Sequence, residues 1–140
     1  MSNLQAFFAQ NAKAEIVDEV VVSDRFKDEN GKPIPWKVRA ITEAENEQLR
    51  KAATQYVKGP GGRRVAEIQP EAYMAKVVVS SVVFPDLKDA ELQKSYGVLG
   101  AEDLLKKMLL SGEYARLVQA VQEINGFEKD INELVDEVKN

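Results

Sequence analysis

Ser80-Ser81-Val82-Val83-Phe84-Pro85-Asp86-Leu87-Lys88-Asp89-Ala90-Glu91-Leu92-Gln93-Lys94-Ser95-Tyr96-Gly97-Val98 is the stretch on which the fold turns. The residue before a proline is pushed out of the α region, so an apolar helix arriving at Phe84 must stop there. Asp86 or Asp89 can cap a short helix running through Tyr96, and Gly97 supplies the left-handed stop. The stretch therefore reads as a joint between two helical pieces. Joints carry no chemistry; this one sets whether the apolar stripes on its two sides close on each other or leave a groove. Phe84 is expected to pack inside it, where truncation to Ala would cost about 3–5 kcal/mol.

Working upstream, Gln69-Pro70-Glu71 opens the helix that ends at the joint. Proline suits a first-turn position, and Glu71 sits near the positive end of the helix dipole. Tyr73, Met74, Val77, Val78, Ser81 and Val82 keep helical spacing. The run Val77-Val78-Val79 is β-branched and argues for a strand, but the start signal and the length of the pattern decide for helix. Being apolar on nearly all sides, this helix is expected to be central. Before it, Thr42-Glu43-Ala44-Glu45 is a capping box, opening a helix to about Lys58 with Leu49, Ala52, Ala53, Tyr56 and Val57 as its buried stripe. Gly59-Pro60-Gly61-Gly62 ends that helix, and Arg63-Arg64 continue a mobile loop.

The segment 14–41 reads as an antiparallel β-hairpin. Glu15 to Val22 is β-branched, with Ile16, Val20 and Val22 toward the core and Asp18 breaking the alternation at a bulge or edge. Asp28-Glu29-Asn30-Gly31-Lys32-Pro33 is dense turn chemistry. Pro35 to Ile41 alternates, with Trp36, Val38 and Ala40 on one face and Lys37 and Arg39 on the other. An isolated hairpin is marginal, so it must pack on helices or pair with another edge. Residues 1–13 put Leu4, Phe7 and Phe8 on one helical face, in a segment that is marginal as a helix unless it docks.

Downstream of the joint, Gly100-Ala101-Glu102-Asp103 starts a helix burying Leu104, Leu105, Met108 and Leu109. Ser111-Gly112 marks a break. Tyr114, Leu117, Val118, Val121 and Ile124 line the next helix, which Asn125-Gly126 stops. Phe127, Ile131, Leu134, Val135 and Val138 then recur at i, i+4, i+7, i+8 and i+11, the mark of a terminal amphipathic helix with an acidic outer face. The expectation is an α+β fold: an N-terminal antiparallel β-hairpin packed on a mainly α-helical body of about five helices. Residues 1–140 are expected to form one domain, divided into segment 1–13, hairpin 14–41 and helical body 42–140.

Composition removes most chemistry. The chain has no His and no Cys, a net charge of −4 and a pI near 5.0. That takes away the commonest general base and metal ligand, thiolate sites, and any pull toward nucleic acid or anionic membranes. An apolar fraction of 44% and a charged fraction of 30% are ordinary for a globular protein. Met1 to Gln10 lacks the pattern of a signal peptide, and the apolar run Val77–Phe84 is too short to span a bilayer. Lys58-Gly59-Pro60-Gly61-Gly62-Arg63 lacks the ending of a phosphate loop and reads as a flexible connector. Asp28 to Gly31 resembles the middle of a calcium loop, but Phe26 and Lys37 would fall where carboxylates are required. No catalytic, cofactor or metal residues are assigned.

The apolar excess is more informative. Leu4/Phe7/Phe8, the Val77–Phe84 run and the C-terminal amphipathic helix together look over-supplied for a small monomer. Either all three meet in one core, or at least one docks a partner chain.

The order of signals resembles a known family: Arg25-Phe26, the turn through Gly31, Trp36, the capped helix with Glu45, Val82-Val83-Phe84-Pro85-Asp86-Leu87, Glu91-Leu92-Gln93, Tyr96-Gly97, Leu104-Leu105, Glu113-Tyr114, Leu117, Asn125-Gly126-Phe127 and Lys139-Asn140. Across nearly its whole length the chain is similar to the XkdN-like tail assembly chaperones of tailed phages and defective prophages. The resemblance implies a non-enzymatic protein of the host cytoplasm that needs no cofactor. It would bind the hydrophobic tape measure protein, keep it soluble and assist tail tube assembly. Tail tube protein is a second partner on that reading, and a homo-oligomer is compatible with it; nucleic acid and membrane are not partners. Leu4, Phe7, Phe8, Phe127, Ile131, Leu134 and Val135 are then the candidate partner-binding residues. The family also suggests a frameshifted longer product arising at Lys139-Asn140. The competing readings are a structural tail component retained in the particle and a small interaction protein of another role.

Overall fold

The computed structural model describes residues 3–12 and 16–127. After a short 3-10 turn at Asn3–Phe7, β1 (Val17–Val20) and β2 (Trp36–Arg39) pair antiparallel, with Val17 opposite Arg39 and Val20 opposite Trp36. The hairpin is therefore present within 14–41. Its long connection carries a small ladder of its own, in which Ile34 N donates to Phe26 O at 2.8 Å and Asp28 N to Lys32 O at 2.9 Å. Asp28 spends its carboxylate on the backbone amides of Asn30 (2.8 Å) and Lys32 (3.0 Å), as a turn aspartate does.

Trp36 and Val38 are buried as the alternation requires, and so is Val22. Ile16, expected on the core face, is 55% exposed. It precedes β1, an edge strand with no further strand beside it among the described residues.

Helix α1 (Glu43–Ala52) begins with the expected capping box: Glu45 N donates to the Thr42 hydroxyl at 3.2 Å and Glu45 Oε1 accepts from Thr42 N at 3.1 Å. The helix does not run to Lys58. It stops at Ala52, and β3 (Thr54–Lys58) turns through Pro60–Gly62 into β4 (Arg64–Ile68), a second antiparallel hairpin. Tyr56, expected in a buried helical stripe, is 66% exposed on this hairpin, and Ala52 is exposed too. The reason is local. Thr54, Tyr56 and Val57 are strand formers, and Val65, Ala66 and Ile68 offer them cross-strand partners. What reads as a flexible connector is the turn itself, where Gly59 N donates to Arg63 O at 2.7 Å. A Cβ on Gly59 would lie 2.4 Å from Val65 Cγ2.

Helix α2 (Pro70–Ser81) is central, packing against α1, α4 and α5. Ala75, Val77, Val78 and Ser81 are buried. It ends one residue before Val82, and Val82–Phe84 is a strand, β5, paired antiparallel with β2. The three-stranded order is β1-β2-β5. Phe84 pairs with Lys37 on the face away from Trp36 and Val38 and is 46% exposed, so it is not the core residue expected of it. The Phe84–Pro85 peptide is cis. The β-branched residues at the helix end satisfy a strand once β2 presents a free edge to them, and periodicity along the chain does not report that edge.

Helix α3 (Ala90–Ser95) is capped by Asp89, whose carboxylate accepts from Leu92 N at 2.8 Å, while Asp86 accepts from Lys88 N in the preceding turn at 3.1 Å. Gly97 takes a φ of 68° at the expected stop. Helices α4 (Ala101–Met108) and α5 (Ser111–Ile124) follow. Val22, Trp36, Val38, Val77, Val78, Leu87, Leu104, Leu105, Met108, Leu109, Leu117 and Val121 form one buried cluster under the three-stranded sheet. The fold is α+β, with the N-terminal hairpin on a body whose described part holds five α-helices.

Candidate partner-binding surface

The hairpin is fastened to the helices by polar links between residues far apart in sequence. Arg25 donates to both carboxylate oxygens of Glu113, Nε at 3.0 Å and Nη2 at 2.5 Å, and to Met108 O at 3.0 Å. Glu113 also accepts from Leu110 N at 2.8 Å, so one carboxylate closes the first turn of α5 and holds the hairpin loop. The Arg25 hydrogen bonds outweigh burial, and with help from Ser23 and the Leu110 amide they hold the Glu113 carboxyl down at about 2. The Arg25 guanidinium lies 4.9 Å from the centre of the Phe26 ring, which is tilted against Trp36. Arg39 pairs with Glu45 at 2.6 Å and, with the Thr42 amide, holds Glu45 at about 2. Asn125 accepts from Ile41 N at 2.7 Å and donates to Val121 O at 2.9 Å. Gln93 bridges the joint, donating to Leu87 O at 2.9 Å and accepting from Gly100 N at 3.0 Å. The Tyr73 hydroxyl donates to Asn46, joining α2 to α1.

These polar residues are committed to holding elements together. Among the described residues no group of three or more Asp or Glu is arranged to hold a metal ion. The remaining chemistry is apolar surface. Leu4, Phe7 and Phe8 are 66%, 79% and 43% exposed and stand outside the buried cluster and the residues packed on it. Val77 and Val78 go entirely into the core, whereas Val83 and Phe84 at the end of that run stay about half exposed. Phe127 is half exposed; Ile131, Leu134 and Val135 lie outside the described residues.

The structure adds two apolar surfaces absent from the sequence reading. One is the second hairpin, with Tyr56, Val65 and Ile68 exposed. The other is a groove of about 470 Å³ between α2 and α5, lined by Met74, Tyr114, Ala115 and Val118 together with the polar Glu71, Lys106, Gln119 and Gln122. Tyr114 and Val118 were expected to be core. The signal that could have exposed the groove is the breadth of the α5 stripe: Leu117 and Val121 already fill the core-facing side, leaving Tyr114 and Val118 at its margin. Burial, with Glu102 and Glu71 nearby, pushes the Tyr114 phenol up.

A family model described as phage XkdN-like tail assembly chaperone protein matches residues 4–139. The chain belongs to that family. It is 35% identical to the Bacillus subtilis protein YqbN over 94% of this chain and 88% of that protein. It is 32% identical to the B. subtilis phage-like element PBSX protein XkdN, over 87% of this chain and 83% of that protein. The crystal structure of YqbN superposes with a TM-score of 0.78 at 28% identity, covering 91% of this chain and 99% of that one.

For a tail assembly chaperone the work is done by contacts with other proteins during tail assembly. The residues that carried the resemblance now have structural duties. Arg25, Glu113, Glu45, Gln93 and Asn125 are cross-links, and Trp36, Leu87, Leu104, Leu105 and Leu117 are core. They keep the chaperone's shape. Among the described residues no helix is long and apolar enough to cross a membrane.

Proposed function

We propose that this protein is a non-catalytic tail assembly chaperone, acting in the bacterial host cytoplasm as one domain spanning 1–140, that binds the tape measure protein and keeps it soluble while the tail tube assembles. The family match over residues 4–139 carries the reading. The physical means are the exposed apolar residues. A long helix with an apolar face aggregates unless that face is covered, and a helix lying in an apolar groove covers it. The α2–α5 groove has the form for such a contact, and Leu4, Phe7, Phe8, Phe127, Ile131, Leu134 and Val135 are the further contacts in this proposal. Tail tube protein is the second partner, and sedimentation of the chain alone reports any homo-oligomer.

Co-expression tests it. A tape measure fragment from the same genetic element should move from the insoluble to the soluble fraction and co-purify with the chain. The triple variant Leu4→Asp, Phe7→Asp, Phe8→Asp should fold normally, because all three side chains are exposed, and should weaken co-purification. A fragment that stays insoluble beside the wild-type chain refutes the proposal, and recovery of the chain from finished particles would make it a structural component instead.

A further inference from the structure

The second hairpin carries a strand with an open edge. In an antiparallel ladder, alternate residue pairs exchange backbone hydrogen bonds. Gly59 N donates to Arg63 O at 2.7 Å, and Gln69 N donates to Ala53 O at 3.0 Å. Val57 lies opposite Val65 and Gln55 opposite Glu67 between these two bonds, so the bonded pairs are the odd-numbered ones. Arg64, Ala66 and Ile68 therefore turn their backbone N–H and C=O groups away from β3, toward an edge beside which no other strand of the described residues lies. All five residues of β4 are exposed. A lone two-stranded hairpin is marginal, and an open edge is a template for another strand unless it is blunted. The edge strand β1 is blunted: Glu19 N donates to the Asp18 carboxylate at 2.8 Å. Among the described residues no side chain accepts from the amides of Arg64, Ala66 or Ile68.

The charges along this edge choose its occupant. Arg63 continues β4 in extended backbone, with φ −74° and ψ 146°. Neither Arg63 nor Glu67 forms an ion pair with any described residue. We propose that β4 pairs antiparallel with β4 of a second copy of this chain, across a two-fold axis at Val65, making a four-stranded sheet in the order β3-β4-β4-β3. In this register Arg63 of each copy faces Glu67 of the other, and the two Val65 side chains meet at the axis. Arg64 and Ala66 exchange the backbone bonds that their outward groups require. The neighbouring registers of the same phase are poorer. Centring on Glu67 sets two carboxylates face to face, and centring on Ala66 puts Arg64 opposite Ile68 with no opposite charges directly paired. Strand β3 has Lys58 as its one charged side chain and so has no such self-complement. The interface uses the same patch on both copies and closes at two. It stands apart from the tape measure reading and does not depend on it.

Sedimentation of the full-length chain should show a monomer–dimer equilibrium, with dimer gained as concentration rises to about 0.1 mM, the regime of a small interface. A chain that stays monomeric throughout overturns the proposal. Arg63→Glu and Glu67→Arg each set like charges across the axis twice, and each should weaken dimerisation about tenfold. Both positions are exposed, so far-UV circular dichroism of either variant should match the wild type. Mixed together, the two variants restore both opposite-sign pairs and should form a heterodimer of about wild-type affinity. Dimerisation unmoved by the single reversals, or not recovered in the mixture, overturns the interface. The chain has no cysteine, so Val65→Cys gives a second readout. Directly opposed residues of a non-hydrogen-bonded pair lie about 4.5 Å apart at Cα, within reach of a disulfide. Mild oxidation should link two copies of Val65→Cys at least about tenfold faster than two copies of Ile68→Cys, whose counterparts lie roughly 20 Å apart along the strands. Equal rates in the two variants overturn the register, and the proposal with it.

Discussion

Asn125→Ala should destabilise this protein by about 2 kcal/mol, although Asn125 is neither hydrophobic nor fully buried. Its side chain joins three elements. The oxygen accepts from Ile41 N at 2.7 Å, at the end of the N-terminal hairpin; the nitrogen donates to Val121 O at 2.9 Å, in the last turn of α5, and to Ser81 Oγ at 3.4 Å, at the end of α2. The Ile41 amide is part-buried and has no other hydrogen bond in the described structure, so deleting its acceptor costs about 1–1.5 kcal/mol. Losing the capping contact to Val121 adds about 0.5–1 kcal/mol. The Ser81 contact is too long to contribute much. For a chain of this size about 2 kcal/mol corresponds to a fall in Tm of roughly 7 °C. Urea unfolding followed by far-UV circular dichroism would show a lower midpoint with an unchanged slope. Gln119→Ala is the control: that side chain is exposed at the groove edge and hydrogen-bonds to Glu123 on its own helix, so its effect on stability should stay within about 0.5 kcal/mol. If Asn125→Ala also stays within that range, the link between hairpin and helices is not holding the fold, and the polar cross-links described above lose their structural weight.

Core and joint should separate cleanly under truncation. Leu117→Ala removes a fully buried side chain and should cost about 2–5 kcal/mol, whereas half-exposed Phe84 should cost well below the roughly 3–5 kcal/mol of a buried Phe; chemical denaturation of both variants, with equal losses, would contradict the placement of β5. Acid should weaken the fold through Glu45 and Glu113, each held at about 2 against an ordinary value of 4.5. Both are stabilising as carboxylates, so their contribution is complete above about pH 4.5 and is lost as pH falls toward 2. Tm measured across that window should drop, and Glu113→Gln should flatten part of the drop while lowering Tm at neutral pH.

Much of the fold was legible one segment at a time. The Thr42–Glu45 capping box, Pro70 at the start of α2, Asp89 capping α3, and the glycine stops at 97 and 126 are all decided within a few residues, by backbone geometry and by side chains that reach only their neighbours. The alternation of Trp36 and Val38 named the buried face of β2 for the same reason. The sequence misled where an element's identity depends on a partner. Thr54–Lys58 has apolar residues at helical spacing, yet it becomes a strand because Arg64–Ile68 lies beside it. Val82–Phe84 leaves the helix because β2 offers an edge.

The candidate surface divides in the same way. Leu4, Phe7 and Phe8 can be picked out from the sequence as one apolar face, but whether that face joins the core or stays exposed, as it does, is left open there. Composition alone, with no His and no Cys, directs attention toward binding rather than catalysis, and the ordered motifs name the family. The groove between α2 and α5 could not be read from the chain. Tyr114 and Val118 have the pattern of core residues, and whether such a stripe is covered depends on the angle and spacing at which two helices meet. Val77 and Val78 are sealed while Tyr114 and Val118 line an open groove because burial is a property of the assembled neighbours, and the local pattern fixes only which face is apolar.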